Sequence, residues 1–522
     1  MTRRIVVCGA GSAGCVVAAR LSEDVDTEVV LLEAGPELPP AGATPTVIRE
    51  LGVRVDGYDW GYTAEPDAVV APWVTSALGV TPPDPHPVRR GKVVGGSGSV
   101  NASNALRPQP RDFHRWGELG ATDWTWETAL PYLVAMERDD APGDFHGRSG
   151  PLRMSRYRDE ELLNYNAAFL RSCADLGHPV STDLNAPDAS GAGVVPKNRD
   201  GDTRWSSAMG YLPQARLRPN FRLRPDATVD RVLLDGGRAA GVVLDSGEQI
   251  DADVVVLATG ALGSPAVLQR SGIGPRQLLE SLGIPVVLNA PAVGRNLSDH
   301  PMYYMGYSVT PQASTILSVG QVVLVSGLSG TGSPAAGADI NIVPLKLGEM
   351  LTVAVGLTTP HSRGHVAIRS ADPAAPPRVA LNFFDSPQDL PRLVEGVTIA
   401  RRVLAGAAMA PFIAGEVLPG PADGGDEVAL ARSVVRGLAG SYYHPVGTCR
   451  MGPAGPWSVV DRAGAVHEID GLHVIDASIM PAIPSQPTNM MTMLLAERCV
   501  DVLRRGLRVH EGALSGDALS QS

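Results

Sequence analysis

Apolar residues along this chain fall into three kinds of run. Short, continuous β-branched runs mark buried strands at Arg4–Cys8 and Glu28–Leu32, and again in LRPDATVDRVLL, AAGVVLDSG and DADVVVLATGA across residues 222–259. Helical spacing follows the first strand through Ala18 and Leu21, and returns in residues 112–140, near Leu390–Ala408 and at Thr492–Arg504. Alternating runs such as HVAIRS give residues 301–440 the character of a separate unit with half-covered strands. GLHVIDAS adds a last strand before the final helix, and the polar tail after Gly506 is expected to fray. Residues 36–88 are proline-rich and weakly periodic, a long excursion between elements. No internal repeat stands out. The pattern predicts an α/β protein. A Rossmann-like dinucleotide-binding domain would be assembled from residues 1–150 (with the excursion 36–88), 196–300 and 441–510. An α+β substrate domain, containing an antiparallel sheet, would be inserted as residues 151–195 and 301–440.

The first strand, helix and second strand carry a chemical signature. Gly9, Gly11 and Gly14 form G-x-G-x-x-G between strand and helix, and Glu33 follows the next strand, 19 residues after Gly14. Gly9 permits the tight turn, Gly11 lets the backbone approach a pyrophosphate, and Gly14 lets the helix pack on the strand. The helix N-terminus offers free N–H groups and a positive dipole end to phosphates. Glu33 is placed to accept a hydrogen bond from an adenosine ribose. This fingerprint does not by itself separate FAD from NAD.

Composition narrows the class. The 522 residues are enough for a large core and two domains, with 44% hydrophobic and 19% charged positions. A net charge of −11 argues against nucleic acid and anionic membranes as partners. Cys8, Cys15, Cys173, Cys449 and Cys499 make neither C-x-x-C nor a zinc spacing, so no metal site is expected and the thiols are expected to be buried. An odd, unpatterned count suits a reducing, cytoplasmic setting. No run is long and apolar enough for a signal peptide or a membrane span.

Five further motifs stand in order: RGKVVGGSGSVN (90–101), GALGSPAVLQRSGIG (260–274), VGRNLSDH (293–300), HPVGTCRMG (444–452) and VIDASIMPAIPS (474–485). With GAGSAG (9–14) they resemble the glucose–methanol–choline (GMC) flavin oxidoreductases over nearly the whole chain. The resemblance implies FAD stretched across a two-domain α/β protein. It also implies oxidation of a small-molecule alcohol by hydride transfer to flavin N5. Compact length and general character are similar to the GMC dehydrogenases associated with mycofactocin, a peptide-derived redox carrier, which favours an electron acceptor other than oxygen, although oxygen, a quinone or a redox carrier all stay open as the acceptor. An NAD-dependent dehydrogenase would leave the flavin-side motifs unexplained.

Residue by residue, the resemblance implies cofactor contacts from Gly9, Gly11, Ser12, Ala13, Gly14, Glu33 and Ala34. It adds Gly95, Ser97 and Asn101 along the flavin, and the Val229 backbone at the adenine, although alone Val229 would be an ordinary strand valine. Gly260, Asp476, Ala477, Asn489 and Met490 complete the set. His444 is the expected catalytic base, an imidazole of ordinary pKa near 6.5 suited to taking an alcohol proton at neutral pH. His300, in SDHP, is expected to stabilise a domain junction.

Two departures from the family pattern matter. Val100 stands where some relatives attach FAD through histidine, so FAD is expected to be held non-covalently. Pro487 stands where most relatives place a second His or Asn, and proline cannot donate a hydrogen bond. Gln486, Asn489 or Tyr443 are the candidates to compensate. Pro487 also keeps open an FAD-containing lyase or a flavin photodecarboxylase on the same fold. A non-catalytic flavin redox or binding protein would be expected to lose His444, which is present.

Overall fold

The computed structural model describes residues 2–38, 57–81, 84–317, 320–328, 338–420 and 426–519. Two sheets organise it. The first is a five-stranded parallel sheet in the order Phe221–Arg224, Thr27–Leu32, Arg3–Cys8, Val254–Leu257, Leu472–Val474. Its central strands, Thr27–Leu32, Arg3–Cys8 and Val254–Leu257, are near-continuous apolar runs because they are covered on both faces, whereas the runs at Val229–Asp235 and Arg238–Leu244 pair antiparallel in a separate small sheet. Ser12–Leu21 covers one side of it and packs against the last helix and Ser207–Ala215.

The second sheet is antiparallel and takes residues from Gly191–Val194 to Leu438–Ser441. At its centre lie Pro301–Val309, Met350–Leu357 and Ile340–Leu347. One face packs on Asp389–Leu404, with Ile340, Ile342, Val353 and Val355 in a core with Leu393, Val397 and Ala400. The other face, with Met302, Val343 and Ala354, belongs to a smaller cluster beside Tyr304 and Tyr442. The α/β architecture expected from the sequence, with an antiparallel sheet beside the Rossmann-like one, is the architecture found.

Element ends differ in two places. The helix expected over Leu390–Ala408 spans Asp389–Leu404. Just beyond its end Gly406 packs against Ser172, where a Cβ would lie 2.0 Å from Ser172 Oγ, so only glycine fits there. The final helix runs Thr488–Leu519, starting directly after Pro487 and continuing through the tail expected to fray. Arg504 and Arg508 pair with Asp24, pinning its middle to the loop after the first helix. Within the excursion 36–88, residues 39–56 and 82–83 lie outside the described residues. All five cysteines are free and buried, and no helix among the described residues is long and apolar enough to cross a membrane.

Candidate active site

The glycine turn after Arg3–Cys8 is built as the fingerprint requires. Gly9 has φ +99°, a left-handed conformation that side chains rarely adopt. A Cβ on Gly14 would lie 1.8 Å from Gly9 O, so only glycine lets this helix close on the strand. The helix has no side-chain cap and no acid in its first turn, leaving its N–H groups to a ligand. A second glycine turn meets it: a Cβ on Gly96 would lie 2.7 Å from Gly11 Cα. Gly95, at φ +93°, donates its N–H to Ala10 O at 2.7 Å.

These turns border a cavity of about 950 Å³. Glu33, Ala34 and Val229 line it near the end of the second strand, with Gly9, Gly11, Ser12 and Ala13 beside them. Gly260, Asp476 and Ala477 follow, and Ser97, Val100, Asn101, Asn489, Pro487 and His444 line it further on. Of the expected contacts, Gly14, Gly95 and Met490 do not border the cavity. Gly14 and Gly95 shape the turns, and Met490 is fully buried in the core.

Hydrogen bonds fix this wall. Glu33 accepts from Ala10 N–H and Gly35 N–H, both at 2.9 Å. Burial pushes its carboxyl up to about 7 against those N–H groups, which pull it down. Spare lone pairs on both oxygens remain for a ribose hydroxyl. Asp476 accepts from Gly260 N–H at 2.8 Å and from Ser264 Oγ, and caps Ala477–Ile479 through Ser478 N–H at 2.7 Å. Asn489 Oδ1 accepts from Ser12 Oγ at 2.7 Å, tying the last helix to the first. Asn101 Oδ1 accepts from Ser103 N–H at 2.9 Å and from Arg204 at 3.1 Å. Val229 lines the cavity and begins a strand whose register breaks immediately after it. A bare helix end, two touching glycine turns and an acid with spare lone pairs fit the pyrophosphate, the isoalloxazine plane and the ribose of FAD.

His444 sits where two structural devices converge. Tyr443, just before it, has φ +65°, a strained setting for a non-glycine residue. Ser441 Oγ holds Tyr443 N–H at 2.6 Å, and the Arg90 guanidinium holds Tyr443 O. Asp299 accepts from His444 N–H at 3.0 Å and His300 N–H at 2.7 Å, and also takes the Ser441 hydroxyl. Burial raises the Asp299 carboxyl to about 6 against these donors.

The two imidazoles touch. His300 Nδ1 lies 3.0 Å from His444 Nδ1, and His300 Nε2 lies 3.0 Å from Pro484 O. A carbonyl only accepts, so His300 Nε2 carries a proton. Burial pushes His300 down to about 3, so it is neutral and its Nδ1 accepts. His444 Nδ1 must then donate, which leaves His444 Nε2 with a bare lone pair. His444 itself is held well below the ordinary histidine value by burial, then by His300 and by Arg90. That corrects the ordinary pKa expected from the sequence. The half-buried ring lines the cavity.

His300 therefore belongs to the His444 cluster rather than to a junction alone. Asp299, Ser441 and Arg90 join it and were not singled out by the sequence reading. Their signal was the SDH of VGRNLSDH and the first residue of RGK, but only the fold brings them to His444. Among the candidates to replace a partner at Pro487, Gln486 is buried away from the cavity and Asn489 is bonded to Ser12. Tyr443 lines the cavity with His444. One trio of ligand-type side chains, Glu137, Asp139 and His146, lies elsewhere. Arg107, Arg156 and Asp183 pair with all three, so their charges compensate one another.

Known proteins agree with this geometry. The family models described as GMC oxidoreductase match residues 4–302 and 360–496. An oxygen-dependent choline dehydrogenase from Pseudomonas putida is 34% identical, over 96% of this chain and 93% of that protein. A 5-(hydroxymethyl)furfural oxidase from Methylovorus sp. is 33% identical, over 95% of this chain and 98% of that protein. The crystal structure of a pyridoxine 4-oxidase from Mesorbium loti superposes with a TM-score of 0.86 at 28% identity, covering 96% of this chain and 99% of that one. With the glycine turns, Glu33 and His444 arranged around one cavity, the chain belongs to the GMC oxidoreductase family, the FAD-dependent enzymes acting on CH–OH groups.

Proposed function

We propose that this protein oxidises an alcohol to a carbonyl compound, using FAD held without a covalent bond. His444 Nε2 would take the hydroxyl proton, and electrons would pass on to an acceptor other than oxygen. The supporting observation is the chain from Pro484 O through His300 to His444, which fixes the tautomer of a base on the cavity wall. FAD supplies hydride acceptance when bound. The rest falls to the protein. Gly9–Ala13, Glu33, Asp476 and Asn489 would hold the cofactor. Asp299 and the Tyr443 turn orient His444, and burial keeps its imidazole neutral and ready to accept a proton at pH 7. Pro487 itself offers no donor, so His444 would take the proton, with Tyr443 on the same cavity wall as the remaining candidate partner. The choline, furfuryl and pyridoxine names of the relatives support an alcohol as donor. The likeness to mycofactocin-associated dehydrogenases supports the acceptor.

Anaerobic mixing of the yellow enzyme with a panel of alcohols tests the reading. The flavin should bleach, and a quinone-like dye should restore it faster than air does. A flavin that no alcohol bleaches would refute alcohol oxidation, and rapid peroxide formation in air would refute the acceptor.

A further inference from the structure

A buried amine lies behind the loop that follows Val100. Lys197 is 1% exposed, and its Nζ donates to Asn104 Oδ1 at 2.6 Å and to Ala102 O at 3.3 Å. Ala102 and Asn104 line the cavity beside Asn101, while Lys197 does not. Backbone pairing fixes the arrangement. Asn104 and Ser155 each form a β-bridge with Lys197, Asn198 N–H donates to Ser103 O at 2.7 Å, and Ala105 N–H donates to Pro196 O at 2.8 Å. The amine is thus held on a paired segment, with Ala102 and Asn104 between it and the cavity.

Its surroundings suit a neutral amine as well as an ammonium. Two acceptors match the two N–H groups of the neutral form, and both acceptors are uncharged. The charges that reach Lys197 are Arg199, on its own segment, and Arg204 beyond it, and both are positive. Ser155, Ala102 and Asn104, on the segments packed against it, bring no charge. Burial and then the two arginines push the amine down to about 7. Arg204 is itself 2% exposed and donates to Asn101 Oδ1 at 3.1 Å and to Ser103 Oγ at 2.8 Å. Buried lysines are rare unless a carboxylate pairs with them. Here no carboxylate among the described residues does so, and the counter-charge is one that the cavity can supply.

We propose that Lys197 takes up a proton when the flavin is reduced and so balances the negative charge that arrives in the cavity. This deepens the proposed function and rests on its placing FAD in this cavity, with Asn101 along the flavin. An alcohol gives up a proton and a hydride. His444 takes the proton, and the hydride, with its electron pair, adds one negative charge to the flavin ring. A solvent proton on the Lys197 amine restores neutrality, and no electrons pass through the lysine. The two opposite charges then attract across Ala102 and Asn104. Reoxidation removes the negative charge and returns the proton to solvent. A nearby opposite charge favours the charged form of a group by about 1–3 pKa units, so Lys197 holds its proton to a higher pH in the reduced protein than in the oxidised one.

The reduction potential of the bound flavin tests this, measured anaerobically with dithionite against reference dyes across neutral and mildly alkaline pH. No alcohol is needed, so the proposal and alcohol oxidation fail separately. For a two-electron couple, each proton taken up lowers the potential by about 30 mV per pH unit. Above pH 7 the wild-type slope should exceed the one-proton value and approach twice it. Lys197→Met should keep FAD, show the one-proton slope, and lose about tenfold, or about 30 mV, of its preference for reduced over oxidised flavin at pH 7. Lys197→Arg carries a permanent charge and should restore the potential at pH 7 without restoring the slope, an outcome that a merely structural role would not produce. A one-proton slope in the wild type, read without any variant, would overturn the proposal. A steep slope that survives in Lys197→Met would assign the proton to another group, such as His444, and would overturn it too. Wild-type protein that binds no FAD would instead refute the cofactor reading.

Discussion

A proton on His300 Nε2 decides what His444 is able to do. Because Pro484 O holds that proton, the hydrogen-bond chain leaves the lone pair on Nε2 of His444, a residue that lines the cavity. Replacing His444 with alanine should keep FAD bound yet slow flavin reduction by about 100-fold or more, the scale of a lost general base. Stopped-flow reduction at the wild-type rate would point to another base. The pH profile follows from the same burial. A base with a lowered pKa stays neutral as pH falls through 6.5, so kcat/KM should hold there and decline only at lower pH. A profile that falls with a midpoint at 6.5 or above would contradict a desolvated His444. Pro487 tests whether the site lacks a partner or was shaped without one. Pro487→Asn restores the common family pattern, and alcohol oxidation should change by no more than about 10-fold, or 1.4 kcal/mol, in either direction. A far larger loss with flavin and fold intact would make Pro487 integral to the site.

At the scale of elements, the strand–turn–helix unit was legible residue by residue. Gly9, Gly11, Gly14 and Glu33 are local in sequence, and each answers a steric or hydrogen-bonding demand of the turn. Glu33 does more than its spacing implies, since it also clasps the N–H groups of Ala10 and Gly35. Glu33→Ala removes the proposed ribose partner and leaves the Ala10 and Gly35 N–H groups unpaired. FAD affinity should drop by about 1.5–3 kcal/mol, measured by titrating apoprotein, with the rate of flavin reduction in the loaded enzyme little changed. Undiminished affinity would mean that Glu33 only braces the turn. The His444 cluster was legible only in part, for the opposite reason. Asp299, His300, Ser441 and Arg90 are hundreds of residues apart in places, and nothing local in SDH or RGK says that they meet. The end of the last helix was misjudged because Gly506 and a polar composition outweighed the arginine pairs with Asp24, which only the fold supplies.

For the molecule as a whole, the sequence carried the α/β class and the mixed sheets, because continuous and alternating apolar runs have different periods. It did not carry the pairing order of the antiparallel sheet, since long-range register depends on packing that periodicity does not encode. One global prediction rests on Val100, which lines the cavity where some relatives bond to FAD. Acid denaturation of the yellow protein should release all the flavin into the supernatant, and colour left in the pellet would show a covalent bond.

The parallel sheet joins Arg3–Cys8 to Val254–Leu257 and that strand to Leu472–Val474, while Ser12 waits for Asn489. On the ribosome, the glycine turn therefore emerges long before the residues that complete its site. At about 5–20 residues per second, the nascent chain passes tens of seconds with its dinucleotide end open. Cofactor loading should accordingly follow chain release, and a ribosome-stalled chain ending before Leu472 should capture no flavin.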